Sequence, residues 1–170
     1  MLFEGGIRVP FLMTYPAKLK TTGHYPHAIS ALDVFPTVLA AADISAPKEL
    51  DGKNLFPYLS GINSSPPHQK LFWRYSDGAG YAVRKENYKL IYSGYKQDFL
   101  LFDLNVDPYE HTDLAEEKPV IVKILTAEYQ AWTTGLIPAK WYDPHPANIL
   151  KEEQKRQSIR DKAKQGQRKK

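Results

Sequence analysis

A chain of 170 residues with 42% hydrophobic residues, 3 Trp, 11 Tyr and 7 Phe has the length of about one domain and the means to build a packed core. It contains no cysteine, which excludes disulfides, thiolate metal sites and cysteine nucleophiles and leaves the redox compartment open. The net charge of +4 comes from the end of the chain, where residues 151–170 carry nine basic and three acidic side chains, so residues 1–150 sum to about −2; nucleic-acid binding through a basic folded face is therefore not supported.

Glu4-Gly5-Gly6 reads as a turn, since adjacent glycines permit positive φ and close backbone approach. Glu4 and Arg8 interrupt the N-terminal apolar residues, so no signal peptide is legible, and no apolar run reaches the ~18 residues of a membrane span. Ile7-Arg8-Val9 and residues 11–15 are strand-like runs broken by Pro10 and ended by Pro16. Residues 18–27 are a polar loop. Ser30 or Asp33 caps a helix through Val34, Val38, Leu39 and Ala42, with Pro36 in its first turn. Asn54 caps a short helix over residues 55–59 that stops at Gly61.

The apolar period then changes. Residues 71–75, 80–84, 88–92 and 99–104 are four strand-length runs, separated by turn residues over 76–78, 85–87 and 93–94. Links this short favour antiparallel neighbours, because parallel strands need a long crossover. Asp107-Pro108 makes a turn. A helix begins near Pro119 and continues to about Thr133, with Val122, Leu125, Tyr129 and Trp132 on one stripe, and Gly135 ends it. A sheet with one helix laid across a face buries both apolar surfaces. Residues 136–150 are irregular, and the tail after Leu150 has no apolar stripe.

The order of these pieces resembles the C-terminal third of formylglycine-dependent sulfatases of the alkaline-phosphatase superfamily. The resemblance rests on Phe3-Glu4-Gly5-Gly6-Ile7-Arg8-Val9-Pro10, on Ser30-Ala31-Leu32-Asp33-Val34-Phe35-Pro36-Thr37-Val38-Leu39, and on Leu50-Asp51-Gly52-Lys53-Asn54-Leu55. It continues through Ala82-Val83-Arg84, Tyr88-Lys89-Leu90-Ile91, Leu101-Phe102-Asp103-Leu104, Asp107-Pro108 with Glu110, and Asp113-Leu114-Ala115.

That resemblance implies an α+β fold. Residues 1–61 would end a large α/β domain as a strand–helix segment. Residues 62–135 would form a C-terminal subdomain of about four antiparallel strands packed by a helix. Residues 136–170 would be an irregular segment and basic tail. It further implies hydrolysis of aryl or sugar sulfate esters by a formylglycine made from a cysteine in Cys-x-Pro-x-Arg. A divalent cation, usually calcium, and cationic side chains would stabilise the developing charge. None of those groups is carried by position in this sequence. Aligning Glu4 on the family's Lys-Gly-x-x-x-Glu-Gly-Gly stretch puts its lysine two places before Met1, which implies an internal methionine or artificial start. The implied setting is a periplasmic or extracellular enzyme whose partners are a sulfated small molecule or glycan and an N-terminal catalytic part. A phosphate-ester hydrolase of the same superfamily and a non-catalytic interaction module are the rival readings.

Several residues have two readings. Glu4, Gly5, Gly6 and Arg8 form a wall of the catalytic cleft, or a plain turn with a structural arginine. His27, with His24, lines a pocket or is a surface histidine; Pro26 between them opposes a helical metal pair. Trp73 and Arg74, near Tyr75, Asp77 and His68, suit a sulfated sugar through stacking and charge, or are core and solvent residues. Asp33 is a metal ligand or a helix cap, while Asp43 near the helix C-terminus has no evident use. Asp103, Asp107, Glu110 and Asp113 look acidic enough for calcium but fail the twelve-residue loop pattern, so turn and cap roles are expected. Asn63-Ser64-Ser65 matches a glycosylation sequon. The basic tail lacks interleaved aromatics for base stacking; it is a solvated tail or a polyanion contact.

Overall fold

The computed structural model describes residues 2–20, 22–75, 78–94 and 96–137. They form two compact units. One joins residues 2–7 to everything described from Phe72 onward; the other is Arg8–Leu71. The cut between these units falls after Leu71, and residues 2–7 pack with the sheet. Nearly all of the expected segment 136–170, with the basic tail, lies outside the described residues.

The first unit is built on a four-stranded sheet in the order β1 (Lys70–Tyr75), β2 (Gly80–Lys85), β3 (Tyr88–Ser93) and β4 (Asp98–Asp103). β2 and β3 are antiparallel, running from Gly80 opposite Ser93 to Lys85 opposite Tyr88. β3 and β4 are antiparallel from Tyr88 opposite Asp103 to Ser93 opposite Asp98. Each strand sends alternate side chains to opposite faces. On one face Tyr81, Val83, Leu90 and Leu101 pack against Leu125 and Tyr129 of α4 (Pro119–Thr133), with Val122 and Trp132 beside them. The helical stripe read from spacing is thus the buried face. Tyr81 and Tyr129 stack with ring centroids 3.6 Å apart, and Phe72 and Trp132 at 4.9 Å. At the border of this layer the Lys85 ammonium meets Glu128 of α4 at 2.7 Å.

The opposite face is covered too, by a segment remote in sequence. Leu2 packs with Ala82, Ile91 and Phe102, flanked by Trp73 and Tyr75. Phe3 lies against Phe102, ring centroids 6.1 Å apart. The turn expected at Glu4–Gly6 is a single helical turn, α1 (Glu4–Ile7), whose Gly6 and Ile7 amides donate to the Phe3 carbonyl at 2.8 and 3.2 Å. Gly5 and Gly6 both lie outside the positive-φ positions, so the conformational freedom expected of them is not used. Gly80 has a different reason: a Cβ there would lie 2.1 Å from the Tyr75 ring.

Neither of the strand-like runs expected at residues 7–9 and 11–15 forms a strand among the described residues. Ile7 is taken into α1, and residues 8–15 pair with no strand among the described residues. A β-prone run becomes a strand only where a partner satisfies its amides and carbonyls. A 3-10 turn (Ala31–Asp33) leads into α2 (Val34–Ala41), and α3 (Phe56–Leu59) follows. The Phe56 amide donates to the Asn54 side chain at 3.0 Å, as expected of that cap. Beyond the end of α2, Asp43 adopts φ 56°, and the Ile44 amide returns to the Leu39 carbonyl at 2.9 Å. That is a helix stop of the kind glycine usually provides. Lys18 donates to the Ala40 carbonyl at 2.5 Å and pairs with Asp43 at 2.8 Å, while the Tyr15 hydroxyl donates to the Ala41 carbonyl at 3.1 Å. These cover carbonyls that a helix end leaves free. Asp43 therefore has a use that its position in sequence did not suggest.

Gly52 lets the 50–55 segment approach the start of α2. A Cβ on it would fall 2.0 Å from the Leu32 carbonyl oxygen, while one on Gly5 would meet nothing within 4 Å. Gly52→Ala is expected to destabilise by about 1–3 kcal/mol, as overpacking does, and Gly5→Ala to change stability by under ~1 kcal/mol. Thermal melts of the two variants check this; equal midpoints would refute the close approach.

Candidate functional site

The first candidate cluster is centred on Lys89. β3 is covered on both faces, so a lysine at its second position is carried into the interior, where its side chain is 0% exposed. A buried ammonium requires partners. Its Nζ donates to Glu4 Oε1 at 2.8 Å and lies 2.7 Å from Glu110 Oε1. The second contact is an ion pair lying off the hydrogen-bond direction, since Glu110 Oε1 has no hydrogen-bond partner. The other Glu110 oxygen accepts the Glu4 amide at 2.6 Å. Glu110 reaches this position with φ 60°, which costs a non-glycine residue conformational energy. Both the side chain and the backbone of Glu4 are thereby held.

The second cluster is centred on Asp33, whose side chain is fully buried. Its Oδ2 accepts the Ser30 amide at 2.8 Å and its Oδ1 the Lys53 amide at 2.7 Å. His68 Nε2 lies 2.7 and 2.9 Å from the two oxygens. Thr37 extends the set: its hydroxyl donates to the Asp33 carbonyl at 2.6 Å and accepts the Leu55 amide at 2.9 Å. Neither reading of Asp33 holds as stated: Ser30 is the cap, its side chain accepting the Leu32 amide, and the Asp33 carboxylate makes no cap bond to α2 but answers the Ser30 amide as the capping-box partner, with His68 added. His68 therefore belongs to the helical unit, where it ties the 62–69 linker to α2.

The other candidates are placed as follows. Arg8 and His27 are exposed, and the His27 ring meets Tyr25 edge-on at 5.3 Å. Both belong to the second unit, whereas Glu4, Trp73 and Arg74 belong to the first. Gly5 and Gly6 are exposed on α1. Trp73 packs on the Leu2 face and Phe72 on the α4 face. By strand alternation Arg74 shares the face of Phe72, so Trp73 and Arg74 do not line one pocket together. Arg74 is half-buried rather than solvent-facing. Asp77 lies outside the described residues.

The four acidic residues considered for calcium each have protein partners. Asp103 accepts the Asn105 amide at 3.0 Å, and Asp113 accepts the Leu101 and Ala115 amides, both at 2.9 Å. Glu110 serves Lys89 and Glu4. Asp107 accepts the Thr112 amide at 2.8 Å, and its carboxyl is held below the ordinary value of 3.8, first by that amide and then by the His111 amide. Among the described residues no three His, Asp or Glu side chains form a group able to hold a metal ion. These residues do not fit the calcium that the resemblance implies.

Lys89, Glu110 as its partner, and the His68–Asp33 pair were not legible as contacts. One signal was available for Lys89. Both parities of residues 88–92 are apolar or aromatic apart from this lysine, as in a strand buried on both faces, and a lysine there needs a countercharge.

Comparison with known proteins adds four findings. A family model described as N-sulphoglucosamine sulphohydrolase, C-terminal, matches residues 1–132. The chain is 44% identical over 73 residues to the uncharacterized sulfatase YdeN of Escherichia coli K12, covering 42% of this chain and 13% of that protein. It is 32% identical over 132 residues to mouse arylsulfatase K, covering 71% of this chain and 24% of that protein. The solved structure of BT1596, a 2-O GAG sulfatase, matches 66% of this chain and 27% of its own with a TM-score of 0.52 at 25% identity. The chain thus spans a quarter or less of the length of those two curated relatives.

Two predictions follow from the geometry. Asp33→Ala strands the Ser30 and Lys53 amides and the His68 ring, and is expected to cost about 3 kcal/mol or more. His68→Ala leaves the amides paired and is expected to cost about 1.5–3 kcal/mol. Denaturant midpoints check the order; an unperturbed Asp33→Ala midpoint would remove the hub. For Asp107 the folded pKa is depressed. Its stabilising effect is complete above the ordinary carboxylate value and is lost as pH falls through the lower folded value. The Thr112 amide resonance is expected to titrate below ~3.9; a midpoint above that value would contradict the loop geometry.

Proposed function

The chain belongs to the sulfatase family, as its C-terminal domain, and from that premise we propose that it works as the C-terminal part of an enzyme that hydrolyses sulfate esters. The substrate is a sulfated small molecule or glycan, aryl or sugar sulfate. The nucleophile is a formylglycine, and both it and the cation, calcium, are carried by an N-terminal catalytic part to which this chain is joined, in a periplasmic or extracellular enzyme. The single observation that carries the reading is the family match over residues 1–132. The sulfatase names of the relatives favour sulfate over phosphate esters, and the 2-O GAG sulfatase among the similar structures favours a glycan. The lack of a cysteine in this sequence is in keeping with a nucleophile carried by another part of the enzyme. This chain's own contribution is scaffolding: it holds Glu4 and the backbone around it at a fixed place on the sheet.

An N-terminal partner also accounts for the exposed apolar side chains of the second unit. Val34, Phe35 and Val38 lie exposed along α2, and Leu12 is 91% exposed. Exposed apolar groups of this kind mark an interaction face. No helix among the described residues is long and apolar enough to cross a membrane.

The test is expression of residues 1–170 beside a longer protein that carries the upstream part. The longer protein is expected to release inorganic sulfate from an aryl sulfate, and residues 1–170 alone are expected to release none and to self-associate in gel filtration. Sulfate release by the purified 170-residue chain would overturn the assignment of the chemistry, and a sharp monomeric elution would overturn the partner face.

A further inference from the structure

We propose that Lys89 and Glu110 are positioning residues: together with Glu4 they form a buried clasp that sets where the upstream chain enters this domain, and so the geometry of the reacting groups which that chain carries. The inference rests on the sulfatase reading above and adds to it a role for residues that do not touch substrate.

Three side chains, on α1, β3 and the loop after β4, meet in the interior with one positive and two negative charges. Their side-chain exposures are 9% for Glu4, 0% for Lys89 and 2% for Glu110. A buried ion set of this kind is weak evidence for stability, because well-packed neutral side chains of similar volume often do as well or better. What it supplies is direction. An ammonium at 2.8 and 2.7 Å from two carboxylates has few alternative placements, whereas apolar contacts permit sliding.

The clasp holds Glu4 twice, through its carboxylate and through its amide. Just before it, Leu2 is buried in the sheet face and Phe3 packs on Phe102. Residues 2–7 thus sit on the sheet although they are separated from it by the whole second unit in sequence. Mere closure of an apolar face would be met by Leu2 and Phe3 alone. The added ion set and the left-handed backbone at Glu110 fix the position along the chain as well. Strained residues of this sort persist where the surroundings over-determine them. Whatever precedes Leu2 in a longer protein leaves from a point with little freedom, and displacement of reacting groups by about 1 Å can cost ~100-fold in rate.

The experiment uses the longer protein and the triple variant Glu4→Gln/Lys89→Met/Glu110→Gln, which keeps side-chain size and removes all three charges. Lys89→Arg and Glu110→Gln are made alongside. Melting temperature, kcat and KM for an aryl sulfate, and amide exchange of residues 2–7 are measured for each. A triple variant that stays folded at the assay temperature is expected to lose about 10–100-fold in kcat. Its KM should stay within about threefold, amide exchange of residues 2–7 should quicken, and Lys89→Arg should recover part of the loss. A folded triple variant with unchanged kcat overturns the proposal. If the triple variant does not fold, Glu110→Gln, which keeps Lys89 paired with Glu4, decides on the same readouts. A wild-type protein that releases no sulfate defeats the sulfatase reading instead. Amide exchange then judges the clasp by itself, and unchanged protection of residues 2–7 in the variants overturns it.

Discussion

The ammonium of Lys89, enclosed between Glu4 and Glu110, is the constraint on which the sheet unit depends. A cation with no solvent access must have its countercharges in place, and here they come from segments far apart in sequence: one from the first helical turn, one from the loop after the last strand. The pairing also specifies register. Shifting β3 by one residue would exchange its faces, driving Lys89 among Leu101, Leu125 and Tyr129 and turning Leu90 toward the carboxylates. Apolar side chains on both faces of a strand discriminate poorly between the two placements; one charge on one face discriminates strongly.

The helical unit follows the same logic with a carboxylate at its centre. Asp33 ends the 3-10 turn before α2 and gathers the Ser30 and Lys53 amides and the His68 ring. Gly52 is the counterpart of this arrangement, since only a residue without Cβ can bring the 50–55 backbone against the Leu32 carbonyl. The two hubs explain where the compact units divide. Glu4 takes residues 2–7 to the sheet, and His68 holds the linker before β1 to the helices.

Sequence pattern was enough for the parts of the fold that obey a local period. The four strands and α4 appear where alternation, turn residues and the stripe Val122, Leu125, Tyr129 and Trp132 put them, because each is decided by its own side chains and the nearest turns. The segment 7–15 shows the limit. It has strand composition, but strand formation is a property of a pair, and no partner runs beside it among the described residues. Glycine pairs likewise report permission rather than use: Gly5-Gly6 became a helical turn outside the positive-φ positions, while the isolated Gly52, Gly80 and Gly94 are packed against neighbours. For the candidate site, Glu4 and Asp33 were legible as residues that matter, but their partners 85 and 35 residues away were not. Trp73 and Arg74 were read as one feature from adjacency, which in a strand guarantees the reverse, since neighbours face opposite sides.

A final consequence concerns what makes this chain recognisable. Glu4, Asp33, Gly52, Lys89, Glu110 and Asp113 all stand in the motifs that carry the family resemblance, and in the structure each is a joint between segments. Glu4, Lys89 and Glu110 form one ion set, Asp33 and Gly52 form one close approach, and Asp113 fastens its segment to β4 through the Leu101 amide. Joints demand residue types as strictly as reacting groups do: a charge for a buried charge, no Cβ where backbones touch, a short carboxylate where amides must be capped. A family fingerprint can therefore record the joints of a domain as strictly as reacting groups. For such a domain the informative question about each motif residue is which two segments it joins.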